Sequence, residues 1–511
     1  MRIPFTEYLP YQWHKGLLPA LIAIAVIALF NSGCEETKQR TAEQDSLKVN
    51  VAEPVDRDFA DIKNSGILRM ITRYNSSSYF LHKGFERGFE YELVKKFADE
   101  NDLALEVKVL QPGENPYDLL NSGEGDLIAA NYATPPERRN HVQFTRPYNL
   151  VDQVVVLPSD RSNIPDNIDE LEDVEISVRR NSSYYYRLNE LKKQGYDLDI
   201  HLASDQLDTE AIFYGIQNGE YEATVSDENI FKAASTYMDE ITKGPTIAEN
   251  DTIAWAIRKN AEDLESKMNE FLFKHFRFRR PGLPPKRSTF LNILRQRYFT
   301  ASESLHYYYQ PGQMTEGGKG VLSPYDDLIR SVADTNGVDW KLLTAIMAQE
   351  SKFNPQAESW AGAVGLMQVL PRYSEVESKE ALFDPETNVK EGVRIIKEHL
   401  DHYTYMDSTN QWKFALAAYN VGQGHLADAR RLAIDRNRNP NEWKPVEESL
   451  LMLMQRKYYQ NARHGFCRGI ETVKYVREIM NRYQTYKTVL AMSERKRENN
   501  MPNVLGIQTF N

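Results

Sequence analysis

The chain has 511 residues, of which 41% are hydrophobic, and that length is too great for one core and suggests about three domains' worth of residues. Its 73 acidic residues outnumber 62 basic ones, a formal net charge of -11 that argues against nucleic acid as a partner. Two cysteines allow at most one disulfide, and no cluster of residues has the spacing of metal ligands, so neither a metal nor another cofactor is expected.

The first residues are weakly basic, with Arg2 and Lys15, and Leu17 to Phe30 is an apolar run. At about fourteen residues, roughly 21 Å as a helix, it falls short of the ~30 Å hydrocarbon core. A secretory signal fits that length better than a membrane span; an uncleaved anchor with an incidental cysteine is the alternative. The segment Asn31-Ser32-Gly33-Cys34 resembles a lipoprotein signal, with Asn31 where such signals usually carry leucine. The resemblance implies that residues 1–33 are removed and that Cys34 becomes the lipidated first residue. It places the chain at the periplasmic side of the outer membrane, with the inner membrane as the alternative. Cys467 is then a lone thiol, read as a small buried residue. Residues 34–57 are polar and charged and read as a flexible tether.

From 58 to 280 the pattern is that of strands alternating with helices. Gly66 to Thr72 reads as a strand after a turn, Phe89 to Ala98 as an amphipathic helix, Leu105 to Leu110 as an alternating strand, and Gly125 to Ala130 as a short apolar strand. Such alternation gives an α/β domain with open sheets and ligands in its crevices. The segment Thr134-Pro135-Pro136-Glu137-Arg138-Arg139-Asn140-His141-Val142-Gln143-Phe144-Thr145-Arg146-Pro147-Tyr148 resembles the signature of periplasmic amino-acid-binding proteins. Gly219 to Asp227 fits the second lobe of the same family. The resemblance implies that Arg138 clamps a ligand carboxylate and that Asp227 receives its ammonium. Two positions depart from the pattern: Asn181 stands where a glycine is usual, and Ala133 where a hydroxyl residue often lies. A regulatory domain for amino acids or muropeptides from the cell wall is one expectation; a retained scaffold that only positions its neighbour is the other.

Arg279-Arg280-Pro281-Gly282-Leu283-Pro284-Pro285 marks a boundary, and 281–320 reads as a linker or bridge. A second domain is expected at 321–490, with a tail at 491–511. Leu342, Leu343, Ile346 and Met347 fall at helical spacing, and Glu350 lies seven after Leu343, on the same core-facing stripe. A carboxylate there loses hydration, so its pKa should rise, as a general acid requires. Snorkelling to water, or pairing with an arginine, is the plainer reading. Pro355 is expected to help stop this helix, and Gly362 and Gly365 to allow a tight backbone path. Met367 beside Gln368 offers one adaptable apolar group and one amide, which suits an N-acetyl sugar; a core methionine and an exposed glutamine are the alternative. Phe414 to Val421 reads as an Ala-rich helix capped by Gly422, with Tyr419 and Asn420 at its mouth, and Glu471 to Val476 lies in a late helix.

In this order, the Glu-Ser, Gly-Leu-Met-Gln, Ala-Tyr-Asn-x-Gly and Glu-Thr-x-x-Tyr-Val segments resemble the catalytic domain of the soluble lytic transglycosylase family, within the lysozyme-like superfamily. The resemblance implies cleavage of the β-1,4 bond between N-acetylmuramic acid and N-acetylglucosamine in peptidoglycan, leaving a 1,6-anhydromuramic acid end. It implies Glu350 as catalytic acid and then base, and Ser359 as a hydrogen-bonding group near the scissile bond. Gln368, Tyr419 and Asn420 would position the sugar, Met367 would pack against it, and Tyr475 would orient the acid. Ser351 reads as structural. Glu358 and Asp384 are possible second carboxylates, but neither sits in a run that demands burial, so a substrate-assisted reaction is expected. The expected whole is a multidomain chain: an α/β two-lobe, periplasmic-binding-protein-like domain, then a mostly α lysozyme-like domain. This pairing behind an export signal resembles membrane-bound lytic transglycosylases. A receptor with an inactive glycan-binding domain, a lysozyme-like hydrolase and a non-cutting cell-wall anchor are the other readings.

Overall fold

Asp58 accepts from the Phe59 backbone N–H and caps α1 (Phe59–Ser65), which Gly66 ends at φ 68°. The computed structural model describes residues 53–299 and 322–498, apart from 83, 112, 206, 236, 237, 281 and 282. The signal segment with Cys34, most of the tether, much of the 281–320 stretch and the end of the tail lie outside the described residues.

After α1 come β1 (Ile67–Thr72), β2 (Phe80–His82), β3 (Phe85–Arg87), α2 (Phe89–Glu100), β4 (Ala104–Val109), α3 (Pro116–Asn121), β5 (Leu127–Ile128) and β6 (Gln143–Phe144). These build the first lobe, closed by β12 (Ala256–Ile257) in a five-stranded sheet of order β4-β1-β5-β12-β6. β1 runs parallel to both neighbours, Met70 facing Val107 on one side and Leu127 on the other. Met70 and Ile71 point into two different core clusters, because a parallel sheet is covered on both faces. The chain leaves for the second lobe through β7 (Asn149–Pro158) and returns through β11 (Ile241–Ile253), paired antiparallel along their length. Between them lie β8 (Glu175–Arg179), α4 (Ser183–Gln194), β9 (Asp199–Ala203), α5 (Thr209–Gln217), β10 (Thr224–Asp227) and α6 (Glu228–Ala234). β10 pairs with β7, and a parallel bridge from Ile176 to Ala223 ties in the β8–β9 pair.

Two helices follow, α7 (Glu262–His275) and α8 (Thr289–Phe299). The second falls inside the stretch read as linker, yet Leu291, Leu294, Tyr298 and Phe299 are buried. The Tyr298 hydroxyl accepts from Gly88 N–H at 3.1 Å, and the Phe299 ring lies 4.6 Å from Phe89. Its apolar spacing therefore makes α8 a part of the first lobe's core.

The remaining elements are helical: α9 (Asp326–Asn336), α10 (Trp340–Glu350), α11 (Pro385–Asp401), α12 (Ser408–Val421), α13 (Gln423–Asp435), α14 (Trp443–Met452), α15 (Arg456–Tyr459) and the long α16 (Gly469–Glu498). α16 packs on α10, α12 and α14 and is the spine of this part. Gly469 is where α16 passes closest to α14; a Cβ there would sit 1.9 Å from the Leu450 carbonyl oxygen.

One buried apolar cluster runs through both parts. At the junction the Tyr486 hydroxyl on α16 donates to the Gly84 carbonyl at 2.7 Å, and Phe85 meets Phe353 edge to face at 5.7 Å. Gly84 is required there, since a Cβ would approach the Phe353 ring to 2.7 Å. Among the described residues no helix is long and apolar enough to cross a membrane.

Candidate active site

Asp339 caps α10 by accepting from Lys341 N–H, and Leu342, Leu343, Ile346 and Met347 are all buried as their spacing predicts. Glu350 is the last residue of that helix, at the edge of the buried stripe and half-buried. The helix ends by another route than Pro355. Ser351 closes the last turn, its N–H and hydroxyl both donating to the Met347 carbonyl. Lys352 (φ 53°) and Phe353 (φ 63°) then reverse the chain through the left-handed region, a costly conformation held here by the packing of Phe353 on Phe85.

The Glu350 carboxyl accepts the Tyr475 hydroxyl of α16 at 2.5 Å. Burial pushes its pKa from the ordinary 4.5 up to about 7, against the opposing pull of the Tyr475 hydrogen bond. Neither a cation nor a second carboxylate stands beside it among the described residues, so the arginine-paired reading fails. Glu358 is exposed and bonded to Lys379 at 2.6 Å, while Asp384 caps α11 and accepts the Thr387 hydroxyl at 2.7 Å. Tyr419 and Tyr475 feel the Glu350 charge, and burial holds both hydroxyls well above their ordinary pKa, as neutral donors.

After Glu350's helix comes the loop from Ala357 to Val369. Val364 and Val369 bridge each other, and Gly365 (φ 78°) donates to the Ala357 carbonyl at 2.9 Å. Gln368 sits at φ 50°, with its side-chain amide nitrogen donating to Ala357 (3.1 Å) and Gly365 (3.0 Å) carbonyls. Its amide oxygen is then the end that can accept from a substrate N–H. Met367 is fully buried against Gly392, and its carbonyl takes the Tyr419 hydroxyl at 2.7 Å. The expected packing of Met367 on a sugar is therefore corrected: its side chain fills the core and only its backbone serves the site. Ser359 is half-buried and accepts from Ala363 N–H at 3.0 Å, which leaves its own proton to donate. Asn420 is exposed at the end of α12; its amide oxygen accepts from Thr472 at 2.8 Å, so its NH₂ can donate outward.

In the first part, Arg138 and Asp227 come to one crevice between the lobes. Arg138 is buried, donates to the Ala133 (2.9 Å) and Asn181 (3.4 Å) carbonyls, and lies 4.0 Å over the Tyr132 ring. Backbone carbonyls are used at the two departing positions, so their side-chain identity is not what holds this arginine. Asp227 is buried at the end of β10, with Asn131 donating to one oxygen at 2.6 Å. Burial, then the charge of Asp251, raises its pKa to about 7, against the pull of Arg138.

Residues 327–442 match the family model described as Transglycosylase SLT domain, and residues 68–277 match Bacterial extracellular solute-binding proteins, family 3. A protein of Desulfosudis oleivorans named membrane-bound lytic murein transglycosylase F is 31% identical over 429 residues, covering 83% of this chain and 91% of that protein. One of the same name from Shewanella sediminis is 33% identical, covering 82% of this chain and 84% of its own length. The chain belongs to the membrane-bound lytic murein transglycosylase F family. Among solved structures, an ancestral arginine-binding protein bound to arginine is similar at 19% identity and a TM-score of 0.38, covering 46% of this chain and 98% of that one.

Two residues of this transglycosylase F chain that support its site carry no role in the sequence reading. Asn388 on α11 is fully buried, accepts from Met367 N–H at 2.7 Å, and donates to the Val364 (2.9 Å) and Leu382 (2.7 Å) carbonyls. Its signal was a polar residue on the apolar stripe that holds Val389, Val393 and Ile396. Thr472, buried on α16, donates to Asn420 as Tyr475 donates to Glu350. Their spacing of three, one helical turn, aims both at the same side of the site.

Proposed function

We propose that this chain cleaves the MurNAc–GlcNAc bond of peptidoglycan with Glu350 acting alone, first as acid and then as base. Membership of the family makes the chain an enzyme, a lytic transglycosylase of murein. The observation that carries the mechanism is the half-buried Glu350 carboxyl, with a pKa of about 7 and no second carboxylate beside it among the described residues. Protonated Glu350 gives its proton to the leaving glycosidic oxygen as the C1–O bond breaks. The substrate's N-acetyl oxygen stabilises C1 from the other face, the substrate-assisted route. The sugar's own C6 hydroxyl then bonds to C1 and returns its proton to Glu350, so no water is consumed. Gln368, Tyr419, Asn420 and Ser359 hold the sugar and its acetamido group, and Tyr475 keeps the acid in place.

Digestion of sacculi, read by mass, tests this: products should end in anhydromuramic acid, one water lighter than a hydrolase's. Reducing-end products would establish the lysozyme-like alternative, and an intact sacculus the inactive receptor or anchor.

The domain reading we propose is 58–280 for the solute-binding module, 281–320 for a bridge whose helix α8 packs into the first lobe, 321–490 for the enzyme, and a tail at 491–511 whose first residues continue α16. The names of the relatives support a membrane-associated, periplasmic protein acting on murein. An acyl anchor on Cys34 in the outer membrane is the finer proposal, after removal of residues 1–33 and with 34–57 as tether. Wild type should partition with detergent and membranes and Cys34→Ser should not; equal partitioning would overturn the anchor. For the first module we propose an amino-acid or muropeptide ligand held by Arg138 and Asp227, acting as a regulator of the enzyme.

A further inference from the structure

The crevice between the two lobes carries three guanidinium groups. Arg73 follows β1 and Arg138 lies in the same lobe, while Arg179 ends β8 in the other. We infer that the crevice takes a dicarboxylic α-amino acid: Arg138 holds the α-carboxylate, Asp227 the ammonium, and Arg73 with Arg179 the side-chain carboxylate. This rests on the reading of the first module as an amino-acid-binding one and names the class of ligand.

The acids of the crevice already have donors within the protein. Asp208 caps α5 through Ala211 N–H at 2.8 Å. Glu210 accepts from the Ser76 N–H at 3.1 Å and from its hydroxyl. Asp227 takes Asn131 on one oxygen, and its other oxygen, Oδ1, is buried with no partner among the described residues. An orphaned buried acceptor costs stability until a donor arrives, and a ligand ammonium supplies one.

The guanidiniums are placed the other way. Among the described residues Arg73 makes no hydrogen bond or ion pair, and Arg179 has one long hydrogen bond, to Thr209 Oγ1 at 3.4 Å. Both line the crevice, one from each lobe. Burial, and then the nearby charge of Arg73, lower the Arg179 pKa to about 10, with Tyr184 and Asp208 pulling the other way. A carboxylate between them forms two charge-assisted pairs and ties the lobes together. A neutral side chain would leave both unpaired, and a basic one would add a third cation.

The test is calorimetric titration of the full-length protein with L-glutamate, L-aspartate, L-glutamine and L-arginine. Glutamate or aspartate should bind about 10- to 100-fold tighter than glutamine, the worth of charged hydrogen bonds. Arg73→Gln and Arg179→Gln should each erase that preference by weakening glutamate and aspartate, and Asp227→Asn should weaken every ligand. Melting curves of the variants check that each is folded; Arg73 holds nothing in place, so its variant should match wild type. Glutamine binding as tightly as glutamate, or arginine binding tightest, overturns the dicarboxylic assignment and leaves the amino-acid reading standing. No binding by any of the four overturns the dicarboxylic assignment and the amino-acid reading alike, and leaves only a muropeptide ligand for the first module.

Discussion

Glu350→Gln should fold normally and release anhydromuropeptides about 10²- to 10⁴-fold more slowly than wild type. Glutamine has the shape of glutamate and can still accept the Tyr475 hydroxyl, but it neither gives nor takes a proton. The same variant should be more stable than wild type in alkali. In the folded chain the Glu350 pKa is about 7 against the ordinary 4.5, so the folded state holds its proton more tightly than the unfolded one. Below the ordinary value both states are protonated and the residue has no pH-dependent effect. Stability is lost as pH rises from there through about 7, by at most about 3 kcal/mol, and less because the group is partly exposed. Glutamine never ionises, so the variant should melt above wild type at pH 8 and level with it at pH 4. In wild type, kcat/KM should fall as pH rises through about 7, where the acid is lost. Near-normal product release by the variant would remove Glu350 from the mechanism.

Asn388→Ala should lower both stability and activity although Asn388 sits in the core. It strands one buried N–H, of Met367, and removes a donor from the Val364 and Leu382 carbonyls. Each unsatisfied group costs about 1–3 kcal/mol, so a loss of about 3 kcal/mol or more is expected in urea unfolding. The loop it anchors carries Gln368 and the carbonyl that receives Tyr419, so turnover should drop even in the variant that remains folded. Gly365→Ala should mimic it, because a Cβ at φ 78° would stand 2.2 Å from the Asn388 amide nitrogen. Stability within 1 kcal/mol of wild type for Asn388→Ala, judged against the scatter typical of surface substitutions, would show that the loop holds itself.

The placement of Glu350 at the edge of the buried stripe was legible because helical period is a strong signal: seven residues separate Leu343 from Glu350, two turns on one face. The α/β alternation of the first part was legible for the same reason. Met367 was not, since an adaptable apolar side chain has one signature whether it meets a ligand or a core, and only Gly392 opposite it decides the matter. The helix stop at Lys352 and Phe353 was hidden as well. Neither residue type advertises a left-handed backbone; the packing that stabilises it comes from Phe85, more than 260 residues away in the chain. Arg73 belongs to no local pattern, and its meaning appears only when the lobes bring Arg179 to the same crevice.

The contact of Phe353 with Gly84 and Phe85 also limits how such a chain can change by recombination. A foreign sensor spliced in front of this enzyme must bring its own glycine and aromatic at those places. Otherwise it meets the ring that closes the helix of Glu350 and displaces the turn only three residues after that carboxyl. Sensor and enzyme are thereby inherited as a matched set, and drift at position 84 is answerable to a residue in the other half of the gene.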